Sequence, residues 1–292
     1  MKALIFGANG QDGWYLAELC KREGIEAIGV SRSGDWIRGD VADAAFVRAL
    51  LKEHSPAYVF HLAANSTTQH AALFENQSTI VNGTLNILEC VYSMKLPARV
   101  FISGSGLQFE NHGTPISEAN RFEASSAYAL ARIESVYAAR YFRTLGVKTY
   151  VGYFFHHESP RRHPTHVSQQ VVSAAKRIRA GSSEVLEVGD LSVRKEWTFA
   201  GDVVRAVWTL VNQESVTEAI IGSGTTHTIR EWVEAVFAHA GLDWKDHVRE
   251  REGFKSEYKL LVSNPAVIRS LGWKPAVGLN ELARIMVAAH AA

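Results

Sequence analysis

The chain has 292 residues, 47% of them hydrophobic, enough to bury a full α/β core in one large domain or two modest ones. Its 31 Lys and Arg against 30 Asp and Glu leave a formal net charge of +1, which excludes recruitment of nucleic acid or an anionic membrane by a global field. No apolar stretch reaches membrane length, and Cys20 and Cys90 form neither a CxxC pair nor a metal-ligand spacing, so a cytoplasmic protein is expected.

Short apolar runs alternate with longer amphipathic stretches from the start. Strand-like Ala3–Phe6, Ala27–Val30 and Tyr58–Leu62 are followed by helix-like Trp14–Arg22, Ala44–Lys52 and Thr79–Met94. Continuous rather than alternating apolar strands predict a parallel sheet covered by helices on both faces. Arg99–Ser103, the helical Ala127–Leu145 and Lys148–Phe155 extend the rhythm, which weakens after Glu158. The fold class expected is therefore α/β, a Rossmann-type doubly wound sheet over residues 1–155, with a smaller, partly interleaved substrate domain over 156–292. Segments near 198–222 are expected to return to the first domain.

The first strand runs directly into Gly7-Ala8-Asn9-Gly10-Gln11-Asp12-Gly13, which opens a helix. Glycines at 7, 10 and 13 let the backbone turn tightly and approach a pyrophosphate, while the helix N-terminus supplies amide donors and a positive dipole. This loop predicts a dinucleotide site using Gly7, Asn9, Gly10, Gln11, Asp12 and Gly13. The second strand ends in Ser31-Arg32, where an NAD-binding chain usually carries a carboxylate for the ribose 2′-hydroxyl. Arg32 suits a 2′-phosphate instead, so NADP(H) is the expected cofactor, with Asp40 and Val41 at the adenine edge.

These motifs together resemble the extended short-chain dehydrogenase/reductases, and specifically the GDP-mannose 4,6-dehydratase branch. The resemblance is carried by the stretch Gly7–Leu19, by His61-Leu62-Ala63-Ala64, by Val81-Asn82-Gly83-Thr84 and by Phe155–Arg162. That last segment differs from the branch's usual Phe-Asn-His-Glu-Ser-Pro-Arg-Arg only at His156. Arg194-Lys195-Glu196-Trp197 and Leu271-Gly272-Trp273-Lys274-Pro275 follow in the expected order. The resemblance implies that Leu62, Ala63 and Ala64 pass beneath the cofactor and that the substrate is a nucleotide-linked sugar, a GDP-hexose by preference. Ser66, His156, His157, Glu158, Arg194 and Lys195 are then expected to meet that substrate, and Arg161-Arg162 to reach a neighbouring subunit's cofactor in a homodimer or homotetramer.

The family's Tyr-x-x-x-Lys reads Tyr128-Ala129-Leu130-Ala131-Arg132 here, keeping the i, i+4 spacing and exchanging one cation for another. A free phenol ionises near pH ~10, so a neighbouring positive charge is what makes it useful for proton transfer near neutrality. Ser105 aligns with the family's catalytic hydroxyl if one residue is deleted before Pro115; without a gap Gly104 falls there. Either alignment puts Gly106 or Leu107 where dehydratases carry the acid that removes the C5 proton. Glu110 reads as a solvated loop carboxylate. The histidines at 156, 157, 163 and 166 lack Cys partners and an HExxH pattern, so no metal site is expected. Trp197 reads as core. The family's late Arg-Pro-x-Glu contact is replaced by Arg251, Phe254, Lys255 and Glu257.

Three activities remain open on these residues: a 4,6-dehydratase-like enzyme moving hydride at C4 of an NDP-hexose, a 4-keto reductase or epimerase without dehydration, and a catalytically silent NADPH-binding protein.

Overall fold

The computed structural model describes residues 1–289. Strands β1 (Lys2–Phe6), β2 (Glu26–Ser31) and the short β3 (Ile37–Arg38) are laid outward in one direction. Then β4 (Tyr58–His61), β5 (Arg99–Ser105) and β6 (Lys148–Phe154) are added on the other side of β1. The short strands β7 (His157–Glu158), β8 (Leu186–Val188), β9 (Arg194–Glu196) and β10 (Thr198–Phe199) lie outside this sheet, and β11 (Glu218–Ile221) returns to its edge beside β6. The resulting seven-stranded order is β11-β6-β5-β4-β1-β2-β3, and every pairing in it is parallel. The chain is thus a doubly wound Rossmann sheet. Its order reverses between β1 and β4, and in such sheets the ligand crevice opens at the carboxyl ends of the strands flanking that reversal.

The connecting helices follow from the apolar periodicity. Helices α1 (Gln11–Arg22), α2 (Ala44–His54), the single turn α3 (Leu73–Asn76), α4 (Gly83–Ser93) and α5 (Ala127–Thr144) belong to the first half; α6 (Val167–Arg179), α7 (Ala200–Val211), α8 (Ile229–Ala240), α9 (Ala266–Ser270) and α10 (Leu279–Ala288) belong to the second. One face of the sheet is covered by α2, α4 and α5, the other by α1 and α7, each over its own apolar cluster. A third cluster is built by α6, α8 and α10, where Trp197 stacks on Trp232 at 4.7 Å and Trp197 Nε1 donates to the His227 carbonyl. The long helix read over Thr79–Met94 is interrupted: Gln77–Asn82 forms a π-helical turn before α4 begins. β12 (Thr226–Thr228) pairs with β9, and β13 (Val248–Glu250) with β8.

Two links hold the second half over the glycine loop. Buried Gln11 accepts a hydrogen bond from Ser159 Oγ at 2.7 Å and donates to the His157 carbonyl at 3.3 Å. Beside it His157 Nε2 meets Asp12 Oδ1 at 2.8 Å, while its Nδ1 lies 2.8 Å from the Phe155 carbonyl. No helix among the described residues is long and apolar enough to cross a membrane.

Candidate active site

Two of the three glycines of the loop, Gly7 and Gly13, are required by contact geometry. Gly7 has φ +91° and a Cβ there would sit 2.6 Å from the Ala63 nitrogen, while a Cβ on Gly13 would be 2.3 Å from the Gly7 carbonyl oxygen. The first glycine therefore makes the turn and the third lets the helix pack on it. Gly10, between them, is the N-cap of α1 and gives it no side-chain cap. The first amides of the helix thus face a groove of about 830 Å³ bounded by Gly7, Gly10 and Gly13 on one side and by the Pro160–His166 segment on the other. A pyrophosphate fits such a cradle of unpartnered donors.

Beyond the loop a second cavity, about 370 Å³, is lined by Asn9, Arg32, Asp40, Val41, Leu62, Ala63 and Ala64 among others. Asp40 Oδ1 accepts from the Ala42 amide at 2.9 Å, which fixes its carboxylate at the cavity edge. Arg32 is bonded to Glu75 at 3.1 Å.

At the inner end of the groove the predicted catalytic residues converge. Ser105 ends β5; Tyr128 and Arg132 lie one turn apart on α5, which starts at the Ser126 cap, whose hydroxyl accepts from the Ala129 amide at 3.1 Å. All three line one cavity of about 190 Å³ together with Ser66, His156, His157 and Lys195. Ser105 Oγ accepts from the Leu107 amide at 3.2 Å, leaving its own O–H to donate elsewhere. Arg132, 4% exposed, lays its guanidinium carbon 5.0 Å from the centre of the Tyr128 ring. Its NH1 donates to the Ser103 carbonyl and, at 2.8 Å, to the Ser103 hydroxyl. The buried Nε has no hydrogen-bond partner among the described residues. Ser103 Oγ in turn donates to the His61 carbonyl at 3.0 Å, so the arginine is docked onto the ends of two neighbouring strands. Burial, with Arg132 close by, pushes the His61 ring down to about 4 and keeps it neutral.

The Lys195 side of the cavity is backed by buried charge. Glu158, 1% exposed, does not reach the cavity; it lies behind Lys195 (3.7 Å) and Arg162 (3.4 Å) and accepts from Ser168 Oγ at 2.5 Å. Its burial opposes ionisation, but the two cations and the hydroxyl win and hold its carboxyl below the ordinary range. Arg194 also stands outside the cavity, half exposed and bonded to Thr226, because adjacent residues of a strand face opposite ways and Lys195 takes the inward position. Of the pair expected to reach a neighbouring subunit's cofactor, Arg162 lines the chain's own cavity and Arg161 covers Trp14 at 4.7 Å. His156 is partly buried, and desolvation followed by the charges of Lys195 and Arg162 drives its ring well below the usual histidine range. Its Nε2 is 2.9 Å from the Tyr258 hydroxyl and its Nδ1 has no partner among the described residues. His157, in contact with Asp12, is shifted up despite its burial, and Asp12 is shifted down despite its own. Sequence reasoning did not single out Thr68 or Leu261, which also line this cavity and whose only signal was membership of polar or apolar loop segments, and it weighed His166, another lining residue, only as part of a histidine cluster. No cluster able to hold a metal ion occurs among the described residues.

A family model described as GDP-mannose 4,6 dehydratase matches residues 33–286. The chain belongs to the GDP-mannose 4,6-dehydratase family. This makes it a nucleotide-sugar-modifying enzyme of the short-chain dehydrogenase/reductase type. GDP-mannose 4,6 dehydratase 1 of Arabidopsis thaliana is 30% identical over 321 residues, covering 98% of this chain and 88% of that one. Among solved structures, RMD from Pseudomonas aeruginosa, complexed with NADPH, has a TM-score of 0.86 at 20% identity and covers 98% of this chain and 97% of that one. A Thermus thermophilus UDP-glucose 4-epimerase, complexed with NAD, has a TM-score of 0.83 at 21% identity, covering 98% of each chain. Of Gly106 and Leu107, the two residues that fall in the acid's place of the GDP-mannose 4,6-dehydratase pattern, Leu107 lines the cavity, in the turn that Ser105 caps. Glu110 lies farther on, beside His112 at 3.6 Å and outside the cavity.

Proposed function

We propose that this enzyme binds NADP(H) and moves hydride at C4 of a nucleotide-linked hexose, a GDP-hexose by its relatives, with Tyr128 as acid/base, Ser105 as the hydrogen-bond donor to the reacting oxygen and Arg132 as the cation. The observation that carries this reading is the convergence of those three side chains on one cavity that adjoins the glycine-loop groove. The glycine loop would hold the diphosphate, Asp40 and Val41 the adenosine, and Arg32 the 2′-phosphate; bound there, the nicotinamide supplies the hydride donor or acceptor. Tyr128 exchanges a proton with the substrate's C4 oxygen, a transfer that guanidinium charge beside the ring favours. The Ser105 O–H holds the same oxygen and fixes its direction. Lys195 and Arg162, with one carboxylate behind them, leave an excess of positive charge toward a sugar diphosphate.

One observation favours a variant of this chemistry. Elimination across C5 and C6 needs a base, yet among the described residues Asp12 is the only carboxylate lining the cavity, and it is engaged by His157. A 4-keto reductase or epimerase that omits dehydration agrees with this better than a full dehydratase does. The exposed Tyr92, Tyr137 and Tyr141 on α4 and α5, 45%, 57% and 60% accessible, support a homodimer or homotetramer, and the composition supports a cytoplasmic setting. The test is incubation with NADP⁺ or NADPH and GDP-, CDP-, UDP- and dTDP-hexoses or their 4-keto-6-deoxy forms. NADPH oxidation with a GDP-4-keto-6-deoxyhexose, or C4 epimerisation of a GDP-hexose with its C6 hydroxyl retained and no net consumption of cofactor, is expected; a 4-keto-6-deoxy product from a GDP-hexose would restore the dehydratase, and tight NADPH binding without conversion of any substrate would overturn the reading.

A further inference from the structure

We propose that Glu75 is a cofactor-specificity residue: it holds Arg32 in the free enzyme and competes with the 2′-phosphate for that guanidinium. The inference rests on the NADP reading above. Arg32 follows the last residue of β2 and lines the adenosine-end cavity with Ser33 and Asn9. Its NH2 donates at 3.1 Å to Oε1 of Glu75, which comes from α3, on the chain segment that follows β4. The other oxygen of Glu75 accepts from Asn65 Nδ2 at 2.8 Å, and Asn65 itself lines the groove over the glycine loop. Hydrogen bonds from Asn65 and then Arg32 hold the Glu75 carboxyl below its ordinary range, so it is ionised at neutral pH.

One guanidinium therefore has two anionic partners that exclude each other: the carboxylate of the free enzyme and a phosphate dianion that lands beside it. Binding NADP breaks the ion pair and brings a second negative charge close to Glu75, whereas binding NAD does neither. Both costs fall on the 2′-phosphate alone, so Glu75 lowers the preference for NADP over NAD without touching the shared part of the two cofactors. Arg32 and Glu75 are 56% and 41% exposed at their side chains, which limits the size of the effect. Asn65 keeps the carboxylate pointed at Arg32 rather than into water, which is what makes it a competitor and not a bystander.

The experiment is equilibrium binding of NADPH and NADH to the full chain by nicotinamide fluorescence, at low and high salt, for the wild type, Glu75→Gln, Glu75→Asp and Arg32→Ala. Glu75→Gln should tighten NADPH about three- to tenfold at low salt and leave NADH unchanged, with the gain shrinking at high salt. Glu75→Asp, which keeps the charge, should stay near the wild-type ratio. If Arg32→Ala weakens NADPH selectively while Glu75→Gln leaves the NADPH/NADH ratio unchanged, the role of Glu75 is overturned and the NADP assignment stands. If Arg32→Ala weakens both cofactors equally, the NADP assignment falls and takes this proposal with it.

Discussion

The two ends of the cleft are made of different materials. At the glycine loop the backbone forms the site: a turn at φ +91°, a helix packed against it without room for a Cβ, and amides with no side-chain cap. At the Lys195 end the site is a set of buried and half-buried, mutually compensating side chains, with Glu158 behind Lys195 and Arg162 and Asp12 against His157. The first kind of site is encoded within seven consecutive residues. The second exists only when residues from β7, β9, α6 and the glycine loop are folded together, and it fails in a different way.

That contrast can be broken or sharpened by mutation. The largest effect should come from Glu158→Leu, which leaves the buried Lys195 and the partly buried Arg162 without their carboxylate; a loss of about 3–5 kcal/mol in unfolding free energy is expected by denaturant titration. A loss below about 1 kcal/mol would mean that the cations relax into solvent and that the network is not structural. Gly13→Ala comes next, because the added methyl meets backbone that cannot yield: about 2–3 kcal/mol of stability and most of the NADPH affinity should go together. Were affinity kept in that variant, the groove over the loop would not be where the cofactor lies.

The Asp12–His157 link joins the two ends and should be pH dependent. A histidine with a raised folded pKa adds stability that is complete below its unfolded value of about 6.5 and disappears as pH rises through the folded value. Asp12, shifted down, adds stability above about 4 that is lost as pH falls through its folded value. His157→Gln should therefore destabilise the chain more at pH 6 than at pH 9, by about 1 kcal/mol, in thermal unfolding at both values. An equal cost at the two pH values would show a neutral hydrogen bond rather than an ion pair. The smallest effect of this set is expected for Arg194→Ala: with its side chain turned to Thr226, it should change the apparent affinity for a nucleotide sugar less than twofold, whereas Lys195→Ala should weaken it at least tenfold.

How much of this was legible in the sequence follows the same division. The glycine loop, the parallel rhythm and the Tyr128/Arg132 spacing are local patterns, and the sheet order and the cavity agree with them. Arg194 and Lys195 could not be told apart because strand register decides which one faces inward, and register depends on pairing with β12. Glu158 read as a substrate contact because a carboxylate inside a specific motif gives no sign of whether it faces ligand or supports residues that do. The docking of Arg132 on Ser103, whose hydroxyl donates in turn to the His61 carbonyl, was equally hidden, since it joins α5 to the ends of β5 and, through Ser103, β4. The two-residue β3 and the π-helical turn at Gln77–Asn82 lack the length for a periodic signal.

The central claim is that Tyr128, with Arg132 lying against its ring, carries a proton between solvent and a bound sugar. Turnover and NADPH affinity of the wild type and Tyr128→Phe, measured side by side with the nucleotide sugar that the panel identifies, test it most directly. The phenylalanine variant should bind NADPH within twofold of the wild type and lose about 10²–10⁴ in kcat. Unaltered kcat in that variant would contradict the claim and leave the cavity without its acid/base.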